Sequence, residues 1–311
     1  MREGPLSATG VIAWDVESLW ERLWSVLPGI SVEVIARCDS TNTVLVERAR
    51  ASSGWPDQPV TAPGALADAA DTAAAVPPLG RRAVDTQPCL LVAEDQTQGR
   101  GRHGRPWQSA RGASLTFSLA LPLAPADWSG LSLAVGVALA DALDPPAPGA
   151  APRIGLKWPN DLWLLDVPGR GRKLGGVLIE TVAVGRLRMA VIGVGLNVAP
   201  QALDGLDTGY ACLHELDAGL TVPAALHRVA LPLAQALVRY EREGFAAFAE
   251  DFARRDLLRD RPVTTASPAV PQGIALGVTA SGALRVRAPD GQVHEIASGE
   301  VRVRPQDGAP T

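Results

Sequence analysis

The stretch "GRGRHGRPW", residues 99–107, sets three arginines and three glycines into seven positions before closing on Pro106 and Trp107. Glycine lets a backbone take positive φ and approach a ligand closely. Arginine presents a planar fork of N–H donors that suits phosphate and carboxylate oxygens. Together they describe a loop that folds over an anion. The pattern G-x-G-x-x-G is matched formally by Gly99, Gly101 and Gly104. A dinucleotide-binding turn must lead straight into a helix, however, and Arg105-Pro106-Trp107 does not open one. The Walker A pattern is absent. The fold is therefore not read as a doubly wound nucleotide-binding sheet, and the anion loop works by side-chain charge. The plainer alternative is a solvated basic loop.

The elements around this loop point to an α+β architecture. "ISVEVIARCDS" alternates and predicts a strand ending in a turn, and "STNTVLVERARA" predicts a helix capped by Ser40 or Thr41. "CLLVAEDQ" and "SLTFSLALPL" read as buried strands on either side of the loop. "LSLAVGVALADAL" reads as an apolar helix, and "IGLKWPNDLWLL" as strand, turn and strand about Pro159-Asn160-Asp161. "KLGGVLIETV" and "RMAVIGVGLNV" are further strands, and a helical pattern runs from about residue 222 to 257. From Arg261 the texture changes to short strands with turn signals, including a hairpin at "PDGQ". The expected organisation is a mixed sheet with helices on one face in residues 1–258, then a small β-barrel in 259–311. Residues 51–88 are rich in Ala, Pro, Gly, Asp and Thr without periodicity and read as a low-complexity insertion.

Composition narrows the function. The 311 residues are 47% hydrophobic and 20% charged, with a net charge of −4. The basic loop is thus a local feature on a mildly acidic chain, which argues against a general nucleic-acid binder. No apolar run reaches the ~18 residues of a membrane span. Arg2 is followed by Glu3, Asp15 and Glu17, so the N-terminus does not read as a signal peptide. Cys38, Cys89 and Cys212 are odd in number, far apart and without metal spacing, as expected for a reducing cytoplasm. The four histidines form no cluster in the sequence, and no metal ligands are assigned.

Rare residues are more telling. Of 29 basic residues only Lys157 and Lys173 are lysine, and the only asparagines are Asn42, Asn160 and Asn197. A residue retained against such a bias does something its substitute cannot. A compact ammonium reaches one oxygen where a guanidinium fork does not fit. All five lie in "DSTN" (39–42), "KWPNDL" (157–162), "GRKLGGVLIE" (171–180) and "GVGLNV" (193–198). For Lys157 and Asp161 two readings stand side by side. Lys157 meets a pyrophosphate or assists a second step, and Asp161 positions a metal or an incoming lysine. Otherwise Asn160 and Asp161 satisfy the turn backbone and Lys157 pairs with a carboxylate.

These strings, with the arginine loop in its place among them, resemble the biotin protein ligase family. The resemblance covers nearly the whole chain. It implies a fold like that of class II synthetases and biotin/lipoyl ligases, with a C-terminal SH3-like barrel. It implies that ATP and biotin form biotinyl-5′-AMP, with Mg²⁺ as a cofactor and pyrophosphate as a product. Biotin then passes to one lysine of a biotin carboxyl carrier protein. The alternative is a lipoate or octanoyl transferase of the same fold. The biotin pocket is implied to comprise Ser40, Thr41, Asn42, Gln96, Gly99, Arg100, Gly101, Arg102, Lys173 and Gly176. Arg105, Asn197, Tyr210, Glu300 and Arg304 fall on the nucleotide side. Lys173, Arg102, Lys157 and Asp161 are the candidates for catalysis. Only 38 residues precede "DSTN", too few for the winged helix of family members that repress transcription. The expectation is a short-form enzyme without nucleic-acid or membrane partners, a monomer or weak homodimer. The chemistry needs no histidine base, because the attacking carboxylate is already ionised at neutral pH. A glycine-rich loop that closes over a hydrolysable anhydride would exclude water.

Overall fold

The computed structural model describes residues 12–52, 86–167, 170–201, 209–297 and 304–305. The low-complexity stretch 51–88 therefore lies, apart from its ends, outside the described residues, as does Glu300. In chain order the elements are α1 (Val16–Trp24), β1 (Ser31–Ile35), α2 (Thr41–Ser52), β2 (Cys89–Ala93), β3 (Gly99–Arg100), β4 (Pro106–Trp107) and β5 (Ser114–Pro122). There follow α3 (Leu131–Leu143), β6 (Ile154–Lys157), β7 (Asp161–Val167), β8 (Arg170–Val184) and β9 (Leu187–Asn197). The last part holds α4 (Val222–Glu243), α5 (Ala249–Arg255), β10 (Pro262–Thr264), β11 (Gln272–Val278), β12 (Leu284–Arg287), β13 (Val293–Ile296) and β14 (Arg304–Pro305).

A seven-stranded sheet runs in the order β1-β2-β5-β9-β8-β7-β6. Only β1 and β2 pair in parallel; the remaining neighbours are antiparallel, so the sheet is mixed. Strand alternation divides its residues between two faces. On β9, Ala190, Ile192, Val194 and Leu196 point into the main core, where α1, α3, α4 and α5 contribute Leu19, Leu139, Leu233 and Phe252. Met189 and Val191 point the other way, into a second cluster with Leu45, Val46 and Ala49 of α2. The helices thus gather mainly on one face, while α2 alone covers part of the other. That second face is left open where β9 carries Gly193 and Gly195.

Residues 262–305 contain a five-stranded antiparallel sheet in the order β13-β12-β11-β10-β14. Asp290 and Gly291 (φ 86°) make the predicted β12–β13 turn, and Asp290 Oδ1 accepts from the Gln292 amide. This antiparallel arrangement fits an SH3-like module; no closing pair between its outer strands is seen among the described residues. The small sheet is attached to the large one at β6. The Leu257 amide donates to the Leu156 carbonyl at 2.9 Å, and Trp158 Nε1 donates to the Gly282 carbonyl at 3.0 Å.

Candidate active site

Cross-strand register builds the site. Lys157 is paired with Asp161, Asp161 with Gly176, Gly176 with Gly195, and Gly195 with Thr116. Directly paired residues share a face, so this row crosses the open side of the sheet. Its middle is two glycines, which leaves a trough at Gly176 and a seat for the Trp107 ring at Gly195. A Cβ on Gly195 would lie 2.5 Å from Trp107 Cε2, and one on Gly193 would lie 2.2 Å from Asn42 Oδ1. Both glycines are there because neighbouring side chains rest directly on the backbone. A register shift between Leu162 and Trp163 in the β7–β8 pair brings Lys173 to the same side as Gly176. Lys173 Nζ meets Asp161 Oδ1 at 2.8 Å. Gly176 lies beside this pair, its Cβ position being 3.3 Å from Asp161 Oδ1.

Lys157 is buried, and its ammonium stands 4.5 Å from the centre of the Trp163 ring. The carboxylate of Asp161 is held by the other lysine, Lys173. Asn160 closes the turn by donating from Nδ2 to the Val177 carbonyl at 2.7 Å. Trp163 and Lys173 are cross-strand partners. Both lysines retained against the arginine bias therefore lie on one face of β6–β8.

The "DSTN" string opens α2 and forms a buried polar cluster. Gln96 Oε1 accepts from the Thr41 amide at 2.7 Å and from the Thr41 hydroxyl at 3.1 Å. A side chain from another segment thereby satisfies the first free N–H of the helix. Ser118 Oγ lies 2.7 Å from Thr41 Oγ1 and donates to Asn42 Oδ1 at 2.6 Å. Asn42 Nδ2 donates to Glu180 Oε2 at 2.9 Å and to the Leu178 carbonyl at 3.2 Å. Ser40 is buried at the helix start, its carbonyl accepting from the Val44 amide. Ser118 and Glu180 belong to this cluster, and the sequence reading misses both. The available signal is period-two alternation: "GGVLIE" puts Glu180 two such steps from Gly176, on the same face, while "SLTFSLALP" shows Ser118 only as a polar residue in an apolar strand.

The arginine stretch is a hairpin of β3 and β4 around a tight turn at Arg102–Gly104. His103 (φ 57°) and Gly104 (φ 71°) take the left-handed conformation at its tip. The Gly101 amide closes the turn on the Arg105 carbonyl at 2.7 Å. Gly99 is buried against the Trp107 backbone, and Trp107 packs over Gly195. Arg100 Nη2 reaches Glu180 Oε2 at 2.8 Å, which joins the hairpin to the Asn42 cluster. Arg102 is half-buried; burial draws its guanidinium below the usual value, opposed by the charge of Asp161. Arg105 is exposed beyond the turn.

At the other end of the trough, residues 209–212 run beside β8 as an added strip. The Lys173 amide donates to the Gly209 carbonyl at 3.3 Å, and the Ala211 amide to the Lys173 carbonyl at 3.0 Å. Asn197 Nδ2 donates to the Ala211 carbonyl at 2.9 Å, while its Oδ1 is buried without a partner. A buried acceptor of this kind is costly until a further donor reaches it. Tyr210 donates its hydroxyl to the Ala199 carbonyl at 2.6 Å, and burial pushes it up to about 12. Arg304 is seen only as backbone, paired with Thr264 in the small sheet. Among the described residues no three His, Cys, Asp or Glu side chains gather as metal ligands, and no helix is long and apolar enough to cross a membrane.

Known proteins are similar to this chain in sequence and fold. Residues 85–197 match the biotin/lipoate A/B protein ligase family, and residues 261–304 match the biotin protein ligase C-terminal domain. The biotin–[acetyl-CoA-carboxylase] ligase of Paracoccus denitrificans is 32% identical over 222 residues, 65% of this chain and 85% of that protein. The chain belongs to the biotin protein ligase family. The bifunctional ligase/repressor BirA of Salmonella typhimurium is 36% identical over 221 residues, 68% of this chain and 66% of its own length. The chain thus spans about two thirds of such a relative. The biotin protein ligase structure from Aquifex aeolicus, in complex with biotin and ATP, aligns with a TM-score of 0.63 at 22% identity. It covers 89% of this chain and 99% of that one, and shares the fold.

Proposed function

We propose that this member of the biotin protein ligase family joins biotin to ATP and transfers it to a lysine of a biotin carboxyl carrier protein. The observation that carries this reading is the trough. Its floor is Gly176, Trp107 lies over Gly195 as one wall, Lys173 and Asp161 stand at one side, and the buried acceptor of Asn197 closes the nucleotide end. In the first step a biotin carboxylate oxygen attacks the α-phosphorus of ATP. An acyl–O–P bond forms, the Pα–O–Pβ bond breaks, and pyrophosphate leaves. Two anions must be brought together, so positive charge has to be supplied in place. Lys173 offers an ammonium at a fixed point on β8, and Arg100, Arg102 and Arg105 offer guanidinium forks from the hairpin. Asp161 Oδ1 holds Lys173 Nζ in place at 2.8 Å. In the second step the carrier lysine attacks the acyl carbon as its neutral amine, the acyl–O bond breaks, AMP departs with its negative charge, and the amine's proton is released to solvent as the amide forms.

The pocket proposed for biotin is the Ser40, Thr41, Asn42, Gln96 cluster with Gly99, Gly101 and Gly176. Its hydroxyls and amides offer both donors and acceptors, which suits a cyclic urea. Asn197 and Tyr210 are proposed for the adenine side, with Arg105, Glu300 and Arg304 as further nucleotide contacts. Mg²⁺ fits as a companion of the triphosphate: Asp161 is a carboxylate beside Lys173, and Mg²⁺ commonly binds one or two carboxylates plus substrate phosphates. When bound it would neutralise phosphate charge. We further propose a reducing, cytoplasmic setting and a monomer or weak homodimer, on the cysteine and charge pattern.

Pyrophosphate release tests the reading. Biotin with ATP should release pyrophosphate stoichiometrically in a single turnover, and lipoate or octanoate should not. Release with lipoate instead would assign the chain to the other branch of the matched family. Transfer is read separately, as label gained by a carrier domain and lost when its acceptor lysine is replaced.

A further inference from the structure

Arg172 stands next to Lys173 in "GRKLGG", yet its guanidinium serves no anion in the trough. Its acceptors lie on three separate pieces of chain. On β7, Asp166 takes Nε at 3.0 Å through Oδ2 and also bonds to Nη2. In the turn Leu213–Glu215, Glu215 takes Nη1 at 3.1 Å and Nη2 at 2.7 Å. On the strip, the Tyr210 carbonyl takes Nη1 at 2.8 Å. The aliphatic stem lies against Gly209, where a Cβ would come within 2.8 Å of Arg172 Cγ; Gly209 has φ 67°. Glu215 also accepts from the Cys212 amide at 3.1 Å. The ends of the strip, Gly209 and Cys212, are thus both held by Arg172 or by its partner Glu215.

The strip decides how Asn197 presents itself. The Ala211 carbonyl at 2.9 Å, with a longer contact to the Lys173 carbonyl at 3.4 Å, holds Asn197 Nδ2, which leaves Oδ1 as the free acceptor. An amide turned over would offer a donor in its place. We infer that Arg172 is a positioning residue that fixes residues 209–212 so that Asn197 presents an acceptor, selecting a purine that bears an exocyclic amino donor. The inference rests on the proposed nucleotide side of the site. The fork geometry matters more than the charge, since a single ammonium cannot bridge Asp166, Tyr210 and Glu215 at once.

The test uses the full chain and nucleotide binding, which needs no turnover. ATP and inosine triphosphate (ITP), which lacks the amino donor, are titrated by calorimetry into wild type, Arg172→Lys and Arg172→Gln in the absence of biotin, and biotin is titrated into each protein separately. Wild type should prefer ATP. Both variants should lose about 10-fold in ATP affinity, in line with one or two lost charged hydrogen bonds, and little for ITP. Biotin affinity should stay within about twofold, a split that general loosening of the fold would not give. Equal losses for ATP, ITP and biotin would overturn the inference, as would an unchanged ATP preference in both variants. A wild type that binds ATP without releasing pyrophosphate overturns the ligase reading alone, and the Arg172 comparison is still decided by binding.

Discussion

The hairpin 99–107 and the strip 209–212 border the same glycine row, and they are held in different ways. The hairpin has two-residue strands and a tip with two successive left-handed residues. Beyond its own turn it is tied by Trp107 over Gly195 and by the partly exposed pair of Arg100 with Glu180. Such a pair contributes about 0–1 kcal/mol. The strip is joined to β8 through backbone hydrogen bonds on both sides of Lys173, to Asn197, and to the Arg172–Asp166–Glu215 set. The contrast separates two tasks. On the proposed function, charge on the hairpin is re-aimed at small cost as an adenylate forms and leaves, while donors and acceptors on the strip are set before a ligand arrives and supply discrimination.

The largest expected effect lies on the fixed side. Lys173→Arg keeps the charge but places a wide fork where Asp161 and Gly176 leave room for one ammonium. Single-turnover adenylation should slow about 100-fold, the scale of losing one preorganised donor to developing charge. Biotin affinity, measured by titration, should fall much less. A wild-type rate in this variant would break the contrast, because the strip side would then tolerate what only the hairpin is expected to tolerate.

Arg102→Ala addresses the adjustable side. Removing one charged contact to a bound adenylate corresponds to about 10-fold in its retention half-life. Thermal unfolding should hardly move, since the side chain leaves no core when truncated. The measurement is decay of bound adenylate after dilution. An unchanged half-life would deny the hairpin its role, and a large loss of stability would show it to be as fixed as the strip.

Much of this arrangement is legible in the sequence, for identifiable reasons. "KWPNDL" shows its turn because proline and asparagine restrict backbone locally, and "GRGRHGRPW" excludes a helix for the same reason. The retained lysines point to Lys157 and Lys173 through chemistry that arginine cannot copy. Cross-strand register is different, because it is set by pairing between segments far apart in the chain. Nothing local says that Gly176 faces Gly195, that a register shift turns Lys173 onto that face, or that Ser118 reaches Asn42. Charge partners are equally hidden. Asp161 pairs with Lys173 rather than with Lys157, its nearer neighbour in the string, and Arg172 of a basic motif proves to be fully engaged by two carboxylates. The helix on the opposite face, α2, carries no strong amphipathic stripe because its first turn serves the polar cluster.

The smallest effect comes from a site that belongs to neither region and serves as their reference. Asp256 ends α5, where its backbone bridges to Leu156 and its Oδ1 accepts from the Leu258 amide at 2.9 Å. Its Oδ2 is buried without a partner, and burial pushes the carboxyl from 3.8 up to about 6. An acid raised in this way penalises the folded state when ionised. The penalty is absent below the unfolded value, grows between about pH 4 and 6, and is complete above about pH 6. A rise of this size corresponds to about 3 kcal/mol as an upper bound. Asp256→Asn keeps the acceptor for Leu258 and removes the charge, but buries an amide donor at a cost of about 1–3 kcal/mol. The net change at about pH 8 should therefore be small. The pH dependence is the sharper readout, because every other titrating group is common to both proteins. The unfolding temperature of the variant relative to wild type should rise from about pH 4 to 6 and stay level to about pH 8. A pH-independent difference would remove Asp256 as the titrating group. Pyrophosphate release and adenylate half-life should match wild type. If either moved, the junction with the small sheet would be coupled to the trough, and neither the hairpin nor the strip could be treated as acting by itself.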